Sequence, residues 1–340
     1  MHKPAAPLQS LVDLVQPHTF AEHVLHVGFL GQIPFFVLTD GAIVLGEDQR
    51  ALHPHGANGI LCALSDDTRL VTGGEDGKVI ETRSDGTMSV LADEKGRWIE
   101  TLALGPDGAV AYAVGKKVVA RAGKGKEDKG KTREWQAPST PQGLAFAPKG
   151  YRLAIAHIDG ASCWFPATDA PPEKFEWKGP HLDVTFSPDN RFLVTSMVEN
   201  QLHGWTLAEK RHMRMSGYPA KTRSFSWSGD GLWLATSGAE AAITWPFAKD
   251  GPTGKAPREA GVRPAKVTQV AFHPKALVLA IGYEDGFVML VRFTDNAEIL
   301  VRAPGENKSA ISALAWDRGG KHLIFGLENG EAGRLALPMP

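Results

Sequence analysis

Three observations predict an all-β chain built from a repeated antiparallel unit. First, an apolar residue, a small residue and a large apolar anchor, followed by a polar turn, recur eight times. The anchors are Phe29, Leu64, Leu104, Phe146, Phe186, Trp227, Phe272 and Trp316. From Leu64 onward they follow roughly the 40–45-residue period of a four-stranded unit. Second, 37 Gly and 23 Pro in 340 residues favour many tight turns over long helices. Third, each anchor leads into a second apolar strand, a hairpin and a third strand. "RLVTGGEDGKVIET" shows this unit, with Asp76-Gly77 as a strong hairpin signal.

Each element follows from strand geometry. Two residues before the anchors stand Val27, Cys62, Leu102, Leu144, Val184, Phe225, Val270 and Leu314, all apolar. Between them lie the small residues Gly28, Ala63, Ala103, Ala145, Thr185, Ser226, Ala271 and Ala315. Successive side chains of a strand point to opposite faces. One face is therefore expected to fill the space between packed sheets, and the other to face a crowded central axis. A more polar fourth strand, as in "KRHMRMSG" or "KFEWKG", precedes the next anchor. The expected fold is a single closed β-propeller of four-stranded antiparallel blades over residues 8–340. Eight blades are favoured; the alternative is seven blades plus a stray hairpin, because the first repeat is short. The last repeat ends at "EAGRLALPMP" without a fourth strand. Ser10–Gln16 is expected to supply it, removing exposed sheet edges.

"LVTGGEDGKV" and "VTFSPDNRFLVTS" resemble strand motifs of the WD40-repeat family, and the likeness extends over nearly the whole chain. Trp164, Trp205 and Trp245 fall where that family's tryptophan lies, but Phe165, Thr206 and Pro246 replace the aspartate after it. The Gly-His pair that usually opens a repeat is missing. The resemblance implies a non-catalytic protein-interaction platform. It also implies that connections from a fourth strand to the next first strand lie on the partner-binding face. Trp98, His181, Tyr218, Lys221 and Arg223 are expected there, with His157 at a neighbouring hairpin. The segment "KRHMRMSGYPAKTRSF" combines cations, Met and Tyr, residue types suited to an interface core. The acidic hairpin tips Asp40, Asp76, Asp159, Glu199, Glu240, Asp285 and Glu328 are explained by turn chemistry alone.

Other chemistries find little support. "GKEDKGKT", Gly125 to Thr132, fits a phosphate-loop pattern. Such a loop must follow a buried strand and open a helix, whereas here a strand pattern follows and Pro138 and Pro141 bar a helix. No nucleotide site is expected. His18, His23 and His26, and His53 and His55, are read as surface or channel histidines; His53 and His55 could share a strand face but have no cysteine or carboxylate close by in sequence. Among the predicted axial positions only His26 and Asp183 are good ligands, on opposite sides of an eight-bladed ring. Catalytic residues, metal and cofactor are therefore expected to be absent. The alternative is an enzyme or small-ligand binder at the channel mouth, with a metal held through His26, His157 or His181. A net charge of -1 argues against nucleic acid, and no apolar run is long enough to span a membrane. Cys62 and Cys163 read as small buried hydrophobes. A protein partner and a cytoplasmic location are expected. Pro246–Lys266, rich in Pro, Gly and charge, reads as a flexible loop.

Overall fold

The computed structural model describes residues 9–123 and 131–338, and these are almost wholly β, with two 3-10 turns at Val12–Leu14 and Pro106–Gly108. The strands form a β-propeller of four-stranded antiparallel blades gathered into seven hydrogen-bonded sheets. Five of these sheets have four strands, one has five and one has six. The second repeat shows the unit: Ile60–Asp66, Arg69–Gly74, Lys78–Arg83 and Met88–Asp93 pair in chain order. Its hairpin turns at Gly77, where φ is +79° and an added Cβ would lie 2.7 Å from the Gly96 nitrogen. Only glycine meets both conditions without strain.

The six-stranded sheet spans the fourth and fifth repeats. Its central strand, Glu173–Phe186, pairs backward with Leu153–Trp164 through Pro180 and forward with Phe192–Met197 from His181 onward. The same strand thus ends one repeat and begins the next.

Neighbouring sheets interlock large side chains on small ones. Leu144, Leu153, Ile155 and Trp164 of the fourth repeat pack on Ala103, Ala111, Ala113 and Ala120 of the third. On its other face the fourth repeat offers Ala145, Ala154, Ala156, Ala161 and Cys163, which receive Val184, Phe186, Leu193 and Trp205 of the fifth. The small residue before each anchor was expected to face the axis. Ala145 instead also packs toward the next sheet, because a sheet inside the array has a neighbour on both sides.

The last sheet combines Ile311–Trp316, His322–Leu327 and Glu331–Ala336 with an N-terminal strand, Val15–Thr19, antiparallel to Glu331–Ala336. This strand was expected over Ser10–Gln16. The residues before it do something else: Gln9–Ser10 pairs in parallel with Ile299 and Leu300 of the seventh repeat. Leu11 donates its amide to the Leu300 carbonyl, and Val12–Leu14 turns the chain toward the neighbouring sheet. Leu11 and Val15 anchor this crossing in one apolar cluster, whereas Val12 and Leu14 are exposed.

Chain direction fixes which loops share a face. In an antiparallel four-stranded unit, the second-to-third hairpin and the fourth-to-first connection lie at the same strand ends. All sequence-predicted partner residues belong to these two loop types. The stretch read as one flexible loop divides here into a connection after Ala242–Pro246 and, beyond Arg258–Ala260, the next fourth-to-first connection. The former is pinned by Phe247, fully buried between Phe192 and Trp227.

The interlocking predicts opposite penalties on the two faces of one strand. Leu153→Ala should cost about 2–5 kcal/mol through a cavity. Its neighbour Ala154→Leu should cost about 1–3 kcal/mol through overpacking. Urea denaturation of both variants checks this; a neutral Ala154→Leu would contradict a tight small face.

Candidate functional site

The fourth-to-first connections are held down by side chains that fold inward. In three repeats a threonine at the same place in the second strand, Thr72, Thr195 or Thr236, receives one of them. Thr72 meets His55 Nε2 at 2.9 Å, and His55 Nδ1 lies 2.8 Å from Asp76 Oδ1 at the hairpin. The carboxylate can only accept, so Nδ1 donates to it, and Nε2 shares a hydrogen bond with the Thr72 hydroxyl. Asp76 is held below the usual carboxylate range: burial opposes this, but the Lys78 amide and His55 outweigh it. Thr195 meets His181 Nδ1 at 2.7 Å, while His181 Nε2 donates to the Trp177 carbonyl at 2.9 Å. In the third case a tyrosine takes the place of histidine. Tyr218 and Thr236 share a 2.7 Å hydrogen bond, and Trp245 Nε1 donates to the Tyr218 hydroxyl at 2.7 Å.

The six residues expected to meet a partner therefore divide. His181 is fully buried, and His157 and Tyr218 nearly so. His157 donates from Nδ1 to the Ile158 carbonyl and accepts at Nε2 from Ser162 Oγ. These three support the face from beneath and do not present themselves on it. Burial lowers the titration of His157 and His181 and pushes Tyr218 up to about 12, so all three are neutral hydrogen-bonding groups near pH 7. Lys221 and Arg223 are exposed on the connection beside Tyr218, and Trp98 is 57% exposed on the connection after the second repeat.

Two exposed apolar residues on this face were not anticipated: Ile158 at a hairpin tip (54%) and Val262 on a later connection (64%). A branched apolar residue at a solvent-facing turn was the available signal. The lock also had one, the repeated "L-V-T", "L-V-T" and "L-A-T" at Thr72, Thr195 and Thr236 with a ring residue upstream.

At the opposite end of the axis a cavity of about 660 Å³ is lined by His26, Phe29, Asp66, Asp107, Trp316 and Arg318 among others. Burial pulls His26 down to about 4, and its Nε2 has no hydrogen-bond partner among the described residues. Asp183 is pushed up to about 6 by burial, offset in part by the Val184 amide. No three His, Cys, Asp or Glu side chains gather as a metal site among the described residues. Both cysteines are free and raised to about 12 by burial. Most of the Gly125–Thr132 match lies outside the described residues. Its last residue, Thr132, opens a strand that pairs with Lys117–Arg121, where a phosphate loop would open a helix. No described helix is long and apolar enough to cross a membrane.

Residues 270–336, within the last two repeats, match the family model of the anaphase-promoting complex subunit 4 WD40 domain. The crystal structure of a computationally designed protein, Ika8, is similar at a TM-score of 0.70 and 14% identity, over 94% of this chain and 98% of that one. No curated protein matches the sequence.

A buried histidine supplies the pH test. His203 is fully buried, stacked on Trp177 at 3.9 Å, with neither ring nitrogen hydrogen-bonded among the described residues. Burial, then neighbouring His212, holds it down to about 3, against 6.5 for an unperturbed imidazole. Below pH 6.5 the unfolded chain binds more protons at His203 and His26 than the folded one. Their stabilisation is thus complete above pH 6.5 and is lost as pH falls toward 4 and 3. Each should remove roughly 1.4 kcal/mol per pH unit within its window. Urea midpoints should drop between pH 7 and 5, less steeply in His203→Phe; identical slopes would exclude His203 as a contributor.

Proposed function

We propose that this chain, a WD40-repeat β-propeller, is a non-catalytic platform that binds a protein partner across the face bearing its fourth-to-first connections. One observation carries the reading: that face exposes Trp98, Ile158 and Val262 together with Arg97, Lys116, Lys221 and Arg223. None of these four cations has a carboxylate within ion-pair distance among the described residues. Contiguous apolar surface, rather than single exposed residues, marks contact sites. Interfaces draw most of their energy from Trp, Tyr and Arg. WD40 propellers typically serve as interaction scaffolds, and the inward-folded locks give this one a rigid face.

We further read residues 8–340 as one domain, a closed ring of eight blades in a cytoplasmic protein. The partner switch at Pro180–His181 supports counting the six-stranded sheet as two blades. Ring closure is supported by Val24, Val27 and Phe29 packing with Ala313, Ile324 and Ala332, and by Ser312 Oγ donating to the Val24 carbonyl at 2.6 Å. Removing residues 1–19 should then lower the unfolding temperature by several degrees and promote aggregation through the bared edge at Glu331–Ala336. Unchanged melting and light scattering would exclude closure by this strand.

A second reading, a small-ligand site at the channel mouth, is favoured by the cavity beside His26, whose volume suits a small molecule. Its metal version loses His157 and His181, whose ring nitrogens are committed to hydrogen bonds.

Affinity capture from host lysate with quantitative mass spectrometry separates these readings. Trp98→Ala and Lys221→Glu/Arg223→Glu variants with unchanged circular dichroism and melting are compared with wild type. A partner depleted about tenfold or more by either variant is expected. Partners retained by both remove this face from the proposal. A co-purifying small molecule without protein partners favours the channel.

A further inference from the structure

We propose that the sector of this face around Trp98 and Ile158 is a docking site for an acidic peptide segment that carries an aromatic or branched aliphatic side chain. This rests on the platform reading and names the partner's chemistry.

The two apolar residues belong to one continuous strip. Trp98 and Arg97 sit on the connection that enters the third repeat, and Arg97 reaches the next hairpin: a Cβ on Gly115 would lie 3.2 Å from its guanidinium. Lys116, beside Gly115, donates to the Pro138 carbonyl of the following connection at 3.1 Å. One residue on, Ser139 Oγ accepts the Ile158 amide at 2.9 Å. The strip thus crosses four consecutive loops, with hydrogen bonds tying the last three together and Arg97 reaching over from the first, and with an exposed apolar side chain on the loop at each end.

Its charges are unevenly committed. Glu94 is taken by Lys117 and Tyr112, and Asp159 accepts the Gly179 amide. Lys95 has Asp93 at 3.8 Å. Glu94 acts on Arg97 electrostatically, but neither Arg97 nor Lys116 has a carboxylate within ion-pair distance among the described residues, and Glu100 is exposed two positions from Trp98. A bound Asp or Glu would give both cations the bidentate or point-charge partner they lack. An apolar side chain between those acids would cover Trp98 or Ile158, which water now contacts. A nucleic acid fits less well, because Glu94, Glu100, Glu134 and Asp159 are interleaved with the cations and would repel successive phosphates.

The test is selection of a displayed library of short random peptides on the wild-type protein, followed by fluorescence anisotropy with the winning sequences and with single-stranded DNA. Enriched peptides should combine Asp or Glu with Phe, Trp, Leu or Ile. Their affinity should fall about tenfold or more in Trp98→Ala and in Arg97→Glu/Lys116→Glu. It should be unchanged in Glu328→Lys, a control on the last repeat, and should weaken severalfold at about 0.5 M salt. No enrichment, winners without acidic residues, binding indifferent to these variants, or tighter binding of DNA would each overturn the proposal. If lysate partners are still lost through Trp98→Ala or Lys221→Glu/Arg223→Glu, only this inference falls; if both variants retain them, the platform reading falls with it.

Discussion

The interlock of a large-residue face on a small-residue face is what the rest of the molecule rests on. Each inner sheet is covered on both sides, so neither face can be polar, and two bulky faces would hold adjacent sheets too far apart. Leucine, isoleucine and tryptophan on one side with alanine on the other solve both problems, as between the third and fourth repeats. Close packing of this kind tolerates little change in volume. It leaves polar freedom to the loops, which is where the candidate site lies.

Connections that merely hung from such an array would make a poor binding face. His55, His181 and Tyr218 prevent that by reaching back to a threonine inside the blade. Each gives a buried hydroxyl a second partner besides a backbone carbonyl, and Trp245 is satisfied at the same oxygen that engages Thr236. Buried polar groups left without such partners would be costly, so the locks define one loop conformation as well as stabilising it. The tyrosine solution shows that the geometry needs a ring of suitable length with a polar tip, not a particular residue.

Much of the fold was legible because strand periodicity is local: anchor, small neighbour and hairpin can each be read within a dozen residues. The N-terminal strand was located in the right region but a few residues early. Leu11, Val12, Leu14 and Val15 look alike in sequence, and only the distance between two neighbouring sheets decides that they turn before pairing. The site was read less well for a related reason. His181 and Tyr218 carry the residue types of a binding surface, yet their partners Thr195 and Trp245 lie 14 and 27 positions away. Whether a polar ring points out or in is decided by such distant hydroxyls. Trp98, with no inward partner, remained at the surface where its position in the repeat suggested.

The pairing of Val15–Thr19 with Glu331–Ala336 also sets an order of events during synthesis. The N-terminal strand of the last sheet is synthesised long before its partner and must remain unpaired until the strands up to Glu331–Ala336 have followed. Contacts of such long sequence separation are slow to form, and the waiting segment carries apolar residues that other chains could capture. The partner of Gln9–Ser10 and Leu11 on the seventh repeat is synthesised before the final three strands. An early station beside the last sheet would keep the Val15–Thr19 strand close to where it is needed.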